Sequence, residues 1–121
     1  MEEMTSQTVY FAQPGPGNTE RTLSLVKERA TALGIESILV ATTSGATGLQ
    51  AAEMLSGFNV VAVTHSAGFR EPYTIEHDCP VCERIEAAGG HVLTTTHAFG
   101  GVGRAVRKKL NTYQTEEIIA Y

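Results

Sequence analysis

Short apolar runs and longer stretches of helical periodicity take turns along this sequence. "VYFA" at residues 9–12 is stopped by "QPGPGN" and reads as a first strand and a turn. From Thr19 to Leu33 the pattern turns helical, with Leu23, Val26, Ala30 and Leu33 on one face, Asn18 as the N-cap and Gly34 as the stop. Residues 38–41 read as a second strand and residues 47–55 as a second helix ending at Gly57. "FNVVAVT" is a third strand, apolar enough to be buried on both faces. After a polar loop over residues 65–77, "PVCERIEAA" reads as a helix and "HVLTTT" as a fourth strand. "HAFGGVG" is a loop, "RAVRKKL" opens a helix, and "TEEIIAY" starts another. Strand and helix repeated in this way specify an α/β domain: a mainly parallel sheet with helices on both faces, three layers αβα.

At 121 residues the chain is long enough for one domain with a real core. A net charge of −4 offers no basic surface for nucleic acid or an anionic membrane. "MEEMTSQTVYF" has neither the basic start nor the apolar stretch of a signal peptide, and no run approaches the ~20 apolar residues of a membrane span. Two cysteines are too few for a secreted disulfide framework. The expectation is a cytoplasmic protein.

In a parallel sheet the loops after the strands share the carboxyl edge, where ligands bind. Here those loops are "QPGPGNT", "TTSGATG", "THSAGFR" and "THAFGGVGR", each rich in glycine, hydroxyl side chains or both. "TTSGATG" carries the strongest signal. Glycine lets a ligand approach the backbone, Thr43, Ser44 and Thr47 bring hydroxyls, and the next helix begins with unsatisfied N–H groups and a dipole that favours an anion. That combination suits a phosphate held by the N–H groups of Ser44, Gly45, Ala46 and Thr47. The competing interpretation makes Ser44 a simple helix cap and the glycines packing relief. The strict nucleotide signatures are missing: the loop has no Walker lysine, and Val106 stands where a dinucleotide fingerprint needs its third glycine.

The stretch "ILVATTSGATGLQAAEMLSGFNVVAVT" resembles the C-terminal α/β domain of pyruvate kinases. "PGPGNTERTLSLVKERATALGIESILVATTSGATG", "VVAVTHSAGFREP" and "THAFGGVGRAVRKK" are similar to stand-alone archaeal and bacterial proteins with a pyruvate kinase C-terminal-like fold. The resemblance spans nearly the whole chain. It implies a single domain over residues 1–121, short of the further strand with which such proteins continue. It places the effector-phosphate loop of pyruvate kinase on Thr43, Ser44, Gly45 and Thr47. The kinase's catalytic residues belong to a different domain, so pyruvate kinase activity is not expected. The ligand expected is a phosphorylated small molecule, a sugar phosphate or a mononucleotide such as flavin mononucleotide.

Two Thr-His pairs, Thr64-His65 and Thr96-His97, end strands at the same edge. Either imidazole could serve as general acid or base, because histidine titrates near pH ~6.5, or could simply contact the ligand. Arg70 is the candidate for a second anionic group; Arg104 reads as part of the solvated basic helix. "HDCPVCE" has redox-motif spacing at Cys79 and Cys82, and with His77 offers a partial zinc set. No second Cys pair completes four ligands, so these cysteines read as structural, with a redox or metal role as the alternative. The apolar end "EEIIAY" and an unfinished sheet edge lead to the expectation of a homo-oligomer.

Overall fold

In the computed structural model, residues 3, 5–71, 74–75, 77 and 79–121 are described, the side chain of Cys79 excepted. The described chain runs 3-10 turn (Pro16–Asn18), α1 (Thr19–Leu33), β1 (Ser37–Ala41), α2 (Ala46–Met54), β2 (Asn59–Val63), α3 (Cys79–Ala87), β3 (His91–Leu93), α4 (Gly100–Leu110) and α5 (Thr115–Ala120). The three strands lie in the order β1-β2-β3, all parallel. Ala41, Val63 and Leu93 are in register, so the strands end level with one another. A parallel sheet flanked by helices is the α/β class, consistent with a three-layer fold.

The core lies between the sheet and the row α1, α2, α3. Leu23, Ala51, Leu55 and Val60 form one buried cluster, and Ala52, Ala62 and Ile85 the other. The close fit of α2 to the sheet depends on Gly48, where a Cβ would come within 2.9 Å of the Ala62 methyl and 3.1 Å of Thr42. Gly34 ends α1 in the left-handed region at φ 67°, where glycine adopts the conformation without steric cost.

Four expectations need correction. Residues 9–12 are coil with a bend at Ala12, not a strand, and Tyr10 is 90% exposed. Their sequence favours a strand, but no ladder forms with β1 in this conformation. Asn18 does occupy the N-cap of α1, yet its side chain does not cap. Its amide instead donates to Gln13 O at 2.7 Å, closing the Pro-Gly turn. Leu33 lies at the end of the apolar stripe of α1 and is exposed. β2 is fully buried on one face only: Val60 and Ala62 are buried and Val61 and Val63 half-buried.

Candidate functional site

A threonine follows each strand directly. Thr42, Thr64 and Thr94 stand after Ala41, Val63 and Leu93, and the register brings them side by side along the carboxyl edge. Thr42 is buried; its N–H donates to Val63 O at 2.9 Å, and its hydroxyl accepts the Gly45 N–H at 3.1 Å. This bond folds the chain over the end of β1 and sets the start of α2. Thr64 is 2% exposed. Its hydroxyl has one proton to give, and His65 O lies closer, at 2.9 Å, than Leu93 O at 3.4 Å. The Thr94 hydroxyl, 2.7 Å away, then donates to Thr64 Oγ1. The sequence analysis missed Thr42 and Thr94, although the recurrence of threonine after an apolar run was the signal for them.

The phosphate-loop candidates sit on the Thr42 turn. Gly45 is the N-cap of α2 at φ 94° and is buried against Val81, which a Cβ there would strike. No side chain caps α2. Leu49 N–H closes the first turn onto Gly45 O at 2.8 Å, so the N–H groups of Ala46, Thr47 and Gly48 precede the helical ladder. The interpretation of Ser44 as the cap is not what the structure shows. Thr43, Ser44 and Ala46 are exposed and Thr47 half-buried.

Ser44 and Ala46 line a cavity of about 680 Å³ between α2 and α3. Its wall is apolar at Leu49, Ile75 and Val81 and polar at Gln50, Glu53, His77 and Arg84. The His77 Nδ1 is buried and has no hydrogen-bond partner among the described residues. Thr47 turns to a different cavity, of about 380 Å³, shared with Gly15, Asn18 and Thr19 at the head of α1. The hydroxyls grouped by sequence therefore serve two spaces on either side of the loop.

The second cluster lies across the edge, around β2 and β3. His97 Nε2 is 3.0 Å from the Thr64 carbonyl oxygen. A carbonyl only accepts, so Nε2 carries the proton, and in the neutral ring Nδ1 holds the lone pair. His65 stacks on Phe69, with ring centroids 4.0 Å apart and planes 26° from parallel. The Arg104 guanidinium lies 4.1 Å from the centroid of the same ring. Two groups at that distance cannot share one face, so Phe69 is sandwiched between them. Arg104, read as a solvated charge, thus ties α4 to the loop after β2 by a cation–π contact. Arg70 and Thr96 are exposed on the two loops of this cluster. None of Thr64, His65, Arg70, Thr96 and His97 lines the cavity of Ser44.

Cys79 opens α3, and Cys82 is half-buried one turn later. Among the described residues no three His, Cys, Asp or Glu side chains gather to hold a metal ion; the Cys79 side chain lies outside that set. No helix is long and apolar enough to cross a membrane, among the described residues.

A sequence profile of the pyruvate kinase alpha/beta domain matches residues 20–121, the span from the first turn of α1 to the last residue. The parallel sheet flanked by helices agrees with this match, and the chain belongs to the pyruvate kinase alpha/beta domain family.

Proposed function

We propose that this is a cytoplasmic protein that binds a phosphorylated small molecule, a sugar phosphate or a mononucleotide such as flavin mononucleotide, with its phosphate at the start of α2. One observation carries the reading: the uncapped N-terminus of α2 lies beside a cavity that also takes Ser44, His77 and Arg84. Free N–H groups and the helix dipole favour an anion there. Arg84 adds a cation at the wall, and the His77 Nδ1, which has no partner among the described residues, adds a polar group for the ligand's body. Glu53 works against the phosphate, so the anion belongs at the Ser44 end and hydroxyl groups at the Glu53 end.

Each neutral hydrogen bond contributes only about 0.5–1.5 kcal/mol. Inorganic phosphate should bind weakly and an ester that fills the cavity more tightly. The test is calorimetric titration with a panel of sugar phosphates and mononucleotides against wild type, Ala46→Asp and Arg84→Gln. Gly45 is unsuited to substitution because its Cβ would strike Val81. Aspartate at position 46 leaves the helix sound, since a carboxylate suits its first turn, while occupying the anion's place. Binding by wild type, abolished in Ala46→Asp and weakened in Arg84→Gln, supports the reading. No binding by any panel member, or equal binding by Ala46→Asp, overturns it.

A second reading, an enzyme acting on that ligand through His97 or His65, draws on the fixed tautomer of His97, which leaves Nδ1 as a base. It requires a ligand long enough to cross the edge from the Ser44 cavity. A Cys-based redox or metal role is the further alternative, carried by the spacing of Cys79 and Cys82. Self-association of the chain is part of the proposal.

A further inference from the structure

Cys79 and Cys82 stand at the two ends of the first turn of α3. Residues three apart on a helix have Cα atoms about 5 Å apart, inside the roughly 4.4–6.8 Å that a disulfide spans. The backbone therefore meets the requirement for a bridge without moving.

Three features hold this turn in place. Pro80, its second residue, has its φ fixed by the ring, and the N–H it lacks is one that a first turn leaves unbonded. Val81, between the cysteines, lies against Gly45 at the head of α2. Ile85, one turn further on, is buried with Ala52 and Ala62. A pair carried on a fixed turn closes on itself more readily than the same pair in an open chain.

The position also suits a reactive thiol. The first N–H groups of α3 and its dipole favour a thiolate at the helix start, where Cys79 stands. Cys82 follows one turn later and is half-buried. A metal site with His77 as third ligand is the rival use of the pair. His77 lines the cavity between α2 and α3 with Val81 and Arg84, and Cys82 does not line it, so His77 and Cys82 do not open onto one space. Residues 76–86 carry Glu76, Asp78, Glu83 and Glu86 against Arg84. That charge repels an anionic disulfide and favours a neutral or cationic one.

We infer that Cys79 and Cys82 are a redox-active dithiol that reduces a neutral or cationic disulfide and closes into a bridge across the first turn of α3. The Cys79 thiolate attacks one sulfur of the substrate R–S–S–R and forms a mixed disulfide. The departing R–S⁻ takes up a proton, matching the one that Cys79 gave up. The Cys82 thiolate then attacks the Cys79 sulfur, the bridge forms, and the second R–S⁻ leaves and takes up the proton lost by Cys82. Two electrons pass from the dithiol to the substrate, which departs as two thiols. The exchange stands whether or not a phosphorylated ligand binds at α2.

The test mixes the reduced full chain with hydroxyethyl disulfide, a neutral probe, and quenches by alkylation. Intact mass then distinguishes free thiols, mixed disulfide and bridge. Wild type should form the bridge within one chain, at least about tenfold faster when folded than when unfolded in urea. Cys82→Ser should stop at the mixed disulfide on Cys79, and Cys79→Ser should react at least about tenfold slower than Cys82→Ser. Cystamine, a cationic disulfide, should react faster than glutathione disulfide, and the reverse order would overturn the substrate class. Equal rates for folded and unfolded wild type would overturn the inference, because the pair would then owe its reactivity to sequence spacing alone. So would bridges that join two chains, or a wild type that stops at the mixed disulfide. Thiols shielded from alkylation until a chelator is added would also overturn it and assign the pair to a metal ion.

Discussion

Gly45 is where backbone geometry, packing and the candidate ligand meet. It holds φ 94° at the head of α2, gives its N–H to Thr42 and lies against Val81. Alanine there would pay the left-handed strain of about 1–3 kcal/mol and meet Val81 as well, at an overpacking cost of about 1–3 kcal/mol. Gly45→Ala should therefore destabilise the fold by about 2–6 kcal/mol, read as a lower urea midpoint. The turn into α2 could be read from sequence because glycine, hydroxyls and a helix start fell together within residues 43–48. The role of Asn18 could not, because a turn carbonyl at Gln13 competes for its amide. Nor could Arg104 be told from its basic neighbours, since the ring it covers arrives from a loop more than thirty residues earlier.

Elements were readable where periodicity was long and faces were buried. α1, α2, α3 and the three strands match their apolar patterns within a residue or two, except that β3 stops at Leu93 and leaves the threonines to the edge. Residues 9–12 misled because propensity describes what a segment can pair with, not whether the partner is engaged. α4 begins at Gly100, inside a stretch read as loop from its glycines. Gly103 leaves room there for the Glu116 carboxylate of α5: a Cβ would meet its oxygens, and the Glu116 side chain would have to swing aside. The packing of α3 offers a direct test. Ile85 is 1% exposed and joins α3 to Ala52 of α2 and Ala62 of β2. Ile85→Ala opens a cavity that these small neighbours cannot fill and should cost about 2–5 kcal/mol. Chemical denaturation with an unchanged slope checks it; a loss under ~1 kcal/mol would mean that α3 is not held through this residue.

For the molecule as a whole, the two faces of the sheet are unequal. α1, α2 and α3 cover one. The other carries Leu39, 71% exposed, Leu93, 42% exposed, and the half-buried Val61 and Val63. Parallel sheets are ordinarily covered on both faces. Three short strands offer a strip on the order of 10 by 17 Å, well below the ~800 Å² per partner of a stable interface. Contact through the sheet alone would be weak, and a durable one must also use the exposed Leu110, Tyr113, Ile118 and Ile119 of the α4–α5 end. Sedimentation from micromolar to millimolar concentration should show the mass rising above 12.9 kDa. Each copy carries a net charge of −4, so added salt should strengthen association by screening the repulsion. Leu39→Glu and Ile119→Glu place a charge on the two apolar surfaces separately. If both surfaces contribute, each variant should weaken association by at least about tenfold, or ~1.4 kcal/mol. A change confined to Ile119→Glu would assign the contact to α5 alone, and a wild type that stays monomeric throughout would refute self-association.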